Sequence, residues 1–120
     1  MARIDVLVSV SDVAAACRFY ELAGLTVASA GDDFATVKAG DANLWLHGRH
    51  GDDHTEATPG GGVEVWIGVD DVDEVHRRLA AAGTGDLRPP ADVHQWGLRV
   101  TSAPDPDGRR VYFTTDLASA

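Results

Sequence analysis

Four side chains in this sequence combine negative charge with aromatic surface: Asp5, Trp45, Glu64 and Tyr112. Carboxylates pair with amines, and aromatic rings stack on planar molecules and attract cations through their faces. These residue types favour a pocket for a flat, cationic or sugar-bearing small molecule. They suit a divalent metal poorly, because such an ion needs three or four matched donors and an indole has no lone pair to give.

An internal repeat makes Asp5 and Glu64 equivalent. Residues 3–24 align without a gap on residues 62–83, a shift of 59 positions. The identical pairs are Val6 and Val65, Val10 and Val69, Asp12 and Asp71, Val13 and Val72, Arg18 and Arg77, Ala23 and Ala82, and Gly24 and Gly83. An offset of nearly half of the 120 residues indicates two copies of one structural module, each too small to fold alone.

Each copy has the pattern of a strand followed by a helix, because alternating apolar residues give way to apolar residues at helical spacing. The strand residues predicted to face the helices are Ile4, Val6, Val8 and Val10, and Val63, Val65, Ile67 and Val69. The predicted helix caps are Asp12 and Asp71, and the predicted helix ends are Gly24 and Gly83. The predicted buried stripes are Val13, Ala16, Cys17 and Tyr20, and Val72, Val75, Leu79 and Ala82.

Further strands follow each helix. The first module continues with strands at 25–30, 34–38 and 42–47. After two prolines at 89–90, the second continues with an extended segment at 96–102, a turn at 105–108 and a strand at 109–115. Residues 48–62 are nearly free of apolar side chains and contain three consecutive glycines, which is typical of a linker. The sequence therefore predicts one α+β domain, 1–120, with βαβββ modules at 1–47 and 63–116.

The closing strands of the two modules align through their turns. Leu44 and Leu46 match Val111 and Phe113. Trp45 is then equivalent to Tyr112, and we predict that both lie with Asp5 and Glu64 on the sheet face away from the helices. Trp66 falls on the same face, which favours a pocket or an interface.

The close spacing of His47, His50 and His54 resembles that of a metal-binding loop. No second group of ligands accompanies them, so a solvated loop is the interpretation for the two linker histidines. His47 alone is expected beside Trp45, as a ligand or a hydrogen-bonding group.

Composition limits the partners. Ten basic and nineteen acidic residues give a net charge of −9, which argues against nucleic acid and anionic membranes and suits a cationic ligand. Cys17 is the only cysteine, so no disulfide framework is expected. Without a signal peptide or an apolar run of membrane-spanning length, a cytoplasmic protein is the expectation.

Taken together, several features resemble the vicinal oxygen chelate superfamily, which includes glyoxalase I, extradiol dioxygenases and bleomycin-type resistance proteins. These features are the paired βαβββ modules, a Val-x-Asp before each helix, a Trp-Gly pair at 96–97 and an Asp-Pro-Asp-Gly turn before the last strand. The resemblance covers nearly the whole chain outside the linker.

The resemblance implies curled mixed sheets around a U-shaped cleft, with helices on the outer face, in a homodimer. It also implies metal ligands on the first and last strands of each module, at the positions of Asp5, Trp45, Glu64 and Tyr112. Because these residues depart from the usual His, Gln and Glu, the chain is most similar in character to the metal-free bleomycin-resistance-like branch.

We therefore expect a protein that sequesters an antibiotic-like aromatic or cationic molecule, with no cofactor and no catalytic residue. The predicted ligand-binding residues are Asp5, Trp45, His47, Glu64, Trp66, Trp96, Arg99, Arg110 and Tyr112. The alternative is a metal-dependent lyase, isomerase or dioxygenase that uses Asp5, His47, Glu64 and Tyr112. A third possibility is a degenerate module with a regulatory or assembly role.

Overall fold

The computed structural model describes residues 6–48 and 64–117. Contacts between Cα atoms divide the chain into two compact units. The first unit is Met1–Val63 with Asp105–Arg109, and the second is Glu64–Pro104 with Arg110–Ala120. The predicted positions Asp5, His50 and His54, and all of the linker after Gly48, lie outside the described residues.

The first unit contains one mixed sheet with a helix against it. Its elements are β1 (Val6–Ser9), α1 (Val13–Leu22), β2 (Thr26–Ala30), β3 (Phe34–Ala39) and β4 (Ala42–His47). The strand order is β1-β4-β3-β2, with β1 parallel to β4 and the other neighbours antiparallel. Helix α1 packs against β2, β3 and β4.

The second unit repeats this topology. Its elements are β5 (Val65–Gly68), α2 (Val72–Ala81), β6 (Arg88–Val93), a 3-10 turn (His94–Trp96), β7 (Leu98–Pro104) and β8 (Arg110–Asp116). The order is β5-β8-β7-β6, β5 is parallel to β8, and α2 packs against β6, β7 and β8. The predicted α+β fold of paired βαβββ modules is confirmed. No helix in the described part of the chain is long and apolar enough to span a membrane.

The repeat extends to individual hydrogen bonds. Each helix ends with a glycine at positive φ, Gly24 at 100° and Gly83 at 77°. The amide of each glycine donates to the carbonyl three residues earlier, and the next amide donates to the carbonyl five residues earlier. Each helix also begins at a capping aspartate, Asp12 or Asp71, whose side chain accepts backbone N–H groups of the first turn. The two modules therefore share their backbone architecture and differ in their side chains.

Among the described residues that were predicted to face the helices or to be buried, most are buried, and two, Val6 and Ala82, are exposed. The predicted residues that are buried are Val8, Val10, Val13, Ala16, Cys17, Tyr20, Val65, Ile67, Val72, Val75 and Leu79. Val111 and Phe113, which alternate with Tyr112 along the last strand, are buried as well. Val6 was predicted to face the helix but is 40% exposed, because it is the first residue of a short strand at the edge of the sheet. Ala82 is exposed because it caps the C-terminus of α2, beyond the packed stripe.

The prediction was also wrong around the two prolines. Strand β6 includes both of them, although proline cannot donate a ladder hydrogen bond. The sheet tolerates them because β6 is an edge strand whose pairing with β7 shifts register between Arg88 and Ala91. The extended segment predicted from residue 96 begins instead at Leu98, because Trp96 belongs to the 3-10 turn.

A buried ion pair anchors the turn at 105–109 within the first unit. The Asp105 and Arg109 side chains are 0% and 3% exposed, with Arg109 Nη1 2.8 Å from Asp105 Oδ2. Asp105 Oδ1 also accepts the backbone N–H groups of Asp107 and Arg109, and Arg109 Nη2 donates to the carbonyl of Ser9 at 3.0 Å. The amide of Ser11 donates to the Asp107 carboxylate. The turn thereby holds the connection from β1 to α1.

Tyr20 lies near this pair. Its ring is fully buried and makes an edge contact with Phe19, with the centroids 5.1 Å apart. Burial, with a smaller contribution from Asp105, raises the pKa of the Tyr20 phenol. Tyr20 is therefore neutral at physiological pH and serves the core of the first unit.

We predict that Arg109→Met destabilises the protein by about 3–5 kcal/mol, because it leaves Asp105 buried without its charge partner. Urea unfolding followed by far-UV circular dichroism measures this change. The double variant Asp105→Asn/Arg109→Met should lose less, since no buried charge remains. Arg77→Met, which removes an exposed ion pair with Glu74, is the matched control and should change stability little. Equal losses in Arg109→Met and Arg77→Met would contradict the anchoring role.

Candidate functional site

Three aromatic rings meet in the second unit: Trp66, Trp96 and Tyr112, the aromatic cluster. The register of β5 with β8 places Trp66 opposite Tyr112, and their rings stack with centroids 4.1 Å apart and planes 7° from parallel. Trp96 contacts Trp66 edge-on, with centroids 5.9 Å apart and an interplanar angle of 75°. Trp66 is 42% exposed and Trp96 is 59% exposed. Exposed aromatic surface of this kind is typical of a ligand-binding surface.

A carboxylate borders the aromatic cluster. Glu64 precedes β5, and its Oε1 accepts a hydrogen bond of 3.3 Å from the indole Nε1 of Trp66. This bond and the Tyr112 stack together fix the orientation of the Trp66 ring. The exposed Glu64 side chain places negative charge beside the ring, so the site presents both features that attract a planar cation.

The strand position beside Trp66 carries no side chain, because it is Gly68. Gly68 follows two residues later on the same strand and therefore points to the same face. A Cβ built at Gly68 meets no atom within 4 Å. Gly68 pairs with Thr114, which in turn pairs with Val100, so small and medium-sized side chains form the next row of the sheet. Glycine inside a strand often marks a place that a ligand approaches closely.

Arg110 borders the cluster on the same strand face as Tyr112. Its guanidinium donates to the backbone carbonyl of Asp86 at 3.1 Å and to Ser102 Oγ at 3.0 Å, and it pairs with the Asp86 carboxylate. These contacts hold Arg110 against the sheet and neutralise its charge within the second unit. The contact of Arg110 with a ligand at the rim of the cluster stays a prediction.

The structure does not bring Arg99 to the aromatic cluster. Its guanidinium bridges Asp73 in the first turn of α2 and Asp92 on β6, at 3.0 and 2.8 Å. Arg99 alternates along β7 with Val100, which places it on the face of the sheet that packs against α2. Arg99 therefore links α2 to the sheet.

A second group of rings lies in the first unit. Phe34 on β3 contacts Trp45 and His47 on β4, with centroid distances of 6.0 and 6.5 Å. Leu7 pairs with Trp45 in the register of β1 and β4 and is exposed. Phe34 was not among the predicted site residues. The alternation along β3 buries Ala35 and Val37 and therefore places Phe34 on the same face as Trp45. This alternation is the sequence signal that could have identified Phe34.

Two of the residues at the metal-ligand positions of the resemblance are unusual metal ligands. Trp45 has no lone pair to give, and Tyr112, whose ring stacks on Trp66, offers a phenol, which is a rare ligand. Within 6–48 and 64–117, no group of three or more His, Cys, Asp or Glu side chains is arranged to hold a metal ion. The alternative metal ligands include Glu64 of the second unit and His47 of the first unit. Asp5, another of them, lies outside the described residues.

Comparison with known proteins places this arrangement in a family. Residues 3–113 match the model of the Glyoxalase/Bleomycin resistance protein/Dioxygenase superfamily. The chain belongs to this superfamily. A search of curated proteins gave no match. The predicted membership of the superfamily is therefore confirmed by the family model and by solved structures.

Three solved structures illustrate the range of this superfamily. A "conserved domain protein" is 26% identical with a TM-score of 0.79, over 97% of this chain and 99% of that one. A bleomycin-binding protein complexed with bleomycin is 18% identical with a TM-score of 0.69, over 97% and 99%. Lactoylglutathione lyase from Agrobacterium tumefaciens is 23% identical with a TM-score of 0.65, over 95% and 92%. The last two likenesses show a shared fold.

The Arg99 bridge gives a pH-dependent prediction. The hydrogen bonds from Arg99 lower the pKa of Asp73 below its ordinary value of 3.8. A lowered folded-state pKa stabilises the protein above the unfolded pKa, and this stabilisation is lost as the pH falls through the folded value. The stability difference between wild type and Asp73→Asn should therefore be full above about pH 5 and shrink on acidification below 3.8.

Thermal unfolding at a series of pH values, at low salt, measures this difference. Asp116→Asn, at an exposed aspartate of the same unit, is the control. An Asp73→Asn difference that is independent of pH would show that the bridge to Arg99 contributes nothing through charge.

Proposed function

We propose that this protein binds a planar, cationic or antibiotic-like small molecule on the aromatic cluster and releases it chemically unchanged. The single observation that carries the proposal is the parallel stack of Trp66 on Tyr112, with the Glu64 carboxylate bonded to the Trp66 indole. The stack offers an ordered π surface and the carboxylate offers a countercharge.

The charge of the whole chain supports the same class of ligand. A net charge of −9 attracts cations over a longer range than direct contacts do. Arg110, the cation nearest in sequence to Tyr112, is neutralised by Asp86. Because its guanidinium is already paired, Arg110 does not compete with a cationic ligand for the Glu64 carboxylate.

One structural neighbour supports a binding role. One solved structure of the same fold is a bleomycin-binding protein in complex with bleomycin. Its identity to this chain is 18%, so it supports binding as the type of function. The ligand of this chain has to be identified by experiment. In this proposal the protein needs no cofactor, and it forms the homodimer that the resemblance implies.

Binding of proflavine, a planar tricyclic cation, tests the proposal. We expect fluorescence anisotropy to show saturable binding, and anthracene-9-carboxylate, an anion of similar shape, to bind more weakly. Trp66→Leu should weaken proflavine binding about tenfold or more, a loss of roughly 1.4 kcal/mol, as expected for a lost stacking and cation–π contact. Leucine is a suitable replacement because Leu7 occupies the equivalent place in the first module.

Two further variants separate charge from surface. Glu64→Gln keeps an oxygen that accepts the Trp66 N–H group and removes the charge, so it should reduce the preference for proflavine over the anion. Phe34→Leu removes an exposed ring of the first unit and is the matched control. Equal affinity in wild type and Trp66→Leu, or loss of binding only in Phe34→Leu, would refute the assignment to the aromatic cluster.

A metal-dependent lyase, isomerase or dioxygenase is the competing function, and a lyase shares this fold. Elemental analysis of protein purified without a histidine tag distinguishes the two. We expect less than stoichiometric divalent metal and recovery of proflavine unchanged by mass spectrometry. Stoichiometric, tightly bound metal that is lost in Glu64→Ala would contradict the binding proposal.

A further inference from the structure

We propose that Arg110 is an anion subsite beside the aromatic cluster, and that the Asp86 carboxylate occupies it until a carboxylate or similar oxyanion of the ligand displaces it. This inference rests on the proposed function and narrows the class of ligand. The ligand is then a planar cation that also carries an anionic group.

The guanidinium of Arg110 lies next to Tyr112 on the same face of the sheet. Its Nη1 donates to Ser102 Oγ at 3.0 Å, and Ser102 is the cross-strand partner of Tyr112 in the antiparallel pair of β7 and β8. Side chains of directly opposed residues lie on one face, with their Cβ atoms about 5 Å apart. A group bound to Arg110 is therefore close to a molecule that contacts the aromatic cluster.

The partners of Arg110 use only part of its hydrogen-bonding capacity. A guanidinium has five N–H groups. Among the described residues, the two on Nη1 donate to Ser102 Oγ and the backbone carbonyl of Asp86, and one on Nη2 pairs with the Asp86 carboxylate. Nε and the second N–H group of Nη2 have no partner in that part of the chain. A carboxylate can accept from Nε and Nη2 together, through two parallel hydrogen bonds, which is a stronger arrangement.

The Asp86 carboxylate is a partner that a ligand can displace. Its side chain is 73% exposed, whereas that of Arg110 is 17% exposed. An ion pair with so exposed a member stabilises little, because solvent screens the attraction. The carboxylate also engages a single nitrogen, Nη2. A ligand carboxylate that binds two nitrogens therefore has the advantage in this exchange.

The backbone of Asp86 supports the same interpretation. Asp86 lies in the connection between α2 and β6, and its φ of 51° is the only positive φ of a non-glycine residue in the described part of the chain. Aspartate tolerates this left-handed conformation better than most residues do, yet the conformation is sparsely populated. Such conformations concentrate at ligand clamps and switch regions. Here it accompanies the presentation of both the carbonyl and the carboxylate of one residue to Arg110.

The countercharge for the cationic part of such a ligand is adjacent. Glu64 directly precedes β5, and the parallel register of β5 with β8, continued by one residue, sets it beside Arg110. Glu64 bonds to the Trp66 indole and Arg110 bonds to Asp86, so each charge has a partner of its own. A cationic ring system can therefore face Glu64 while its anionic group reaches Arg110.

Two dyes that differ in one group test the subsite. Tetramethylrhodamine has a planar xanthylium cation and a free carboxylate, and its methyl ester lacks the negative charge. The net charge of −9 attracts the ester more strongly at long range, because the ester is a net cation and the free acid is a zwitterion. We expect fluorescence anisotropy at low salt to show the opposite order, with the full-length protein binding the zwitterion at least fivefold more tightly.

Two substitutions act on the subsite in opposite directions. Arg110→Met removes the guanidinium and should bring the preference for the zwitterion to one or below. Asp86→Asn removes the competing carboxylate and should raise the preference at least threefold above that of wild type. Asparagine adopts the left-handed conformation readily, so the connection should keep its path. Asp41→Asn, at an exposed aspartate of the first unit, makes the same change in net charge and should keep the wild-type preference.

The anion subsite and the proposed function fail separately. If the ester binds as tightly as the zwitterion, or if Arg110→Met or Asp86→Asn keeps the wild-type preference, the anion subsite is refuted. Binding of proflavine that is lost in Trp66→Leu would then still support the proposed function. If wild type binds neither proflavine nor either dye, the proposed function is refuted and the anion subsite with it. Should Arg110→Met fail to fold, the increase expected in Asp86→Asn decides alone.

Discussion

The buried pair of Asp105 and Arg109 is the constraint on which the first unit depends. Two charges removed from water need further hydrogen bonds beside their mutual attraction to offset the loss of hydration. Here the Asp105 carboxylate accepts two backbone N–H groups, and the guanidinium reaches the carbonyl of Ser9. Since β1 ends at Ser9 and α1 begins at Val13, the ion pair fixes the point where the strand passes into the helix. An alternative packing that exposes this turn would separate the charges from these partners.

Each module uses one sheet face for its helix and leaves the other face for side chains of a different kind. The two modules also share the hydrogen bonds that end their helices. The paired positions then differ in chemistry: Leu7 faces Trp45 in one sheet, whereas Trp66 faces Tyr112 in the other. The candidate site of the second unit thus arises from a few substitutions on a face that the core does not use.

Local pattern predicted most of this fold, and the failures have physical causes. Alternation and capping residues identified the strands and both helices because these signals act within a few residues. Strand β6 was missed because its two prolines hide the strand pattern, and the sheet accepts them only at its edge. The placement of Arg99 could not be read from the sequence, because its partner Asp73 is 26 residues away and lies on a helix. The Trp66–Tyr112 stack was predicted only as a shared face, since ring orientation depends on packing.

The parallel stack has a consequence for the thermodynamics of recognition. Ordering a side chain at an interface costs about 0.5–1.5 kcal/mol in lost conformational entropy. Tyr112 and Glu64 already restrict the Trp66 ring, so this cost falls on folding and not on association. Contact with such a preformed apolar surface is frequently enthalpy-driven and accompanied by a negative heat-capacity change. Calorimetry of binding should therefore show a favourable enthalpy and a negative heat-capacity change even for a ligand that makes few contacts.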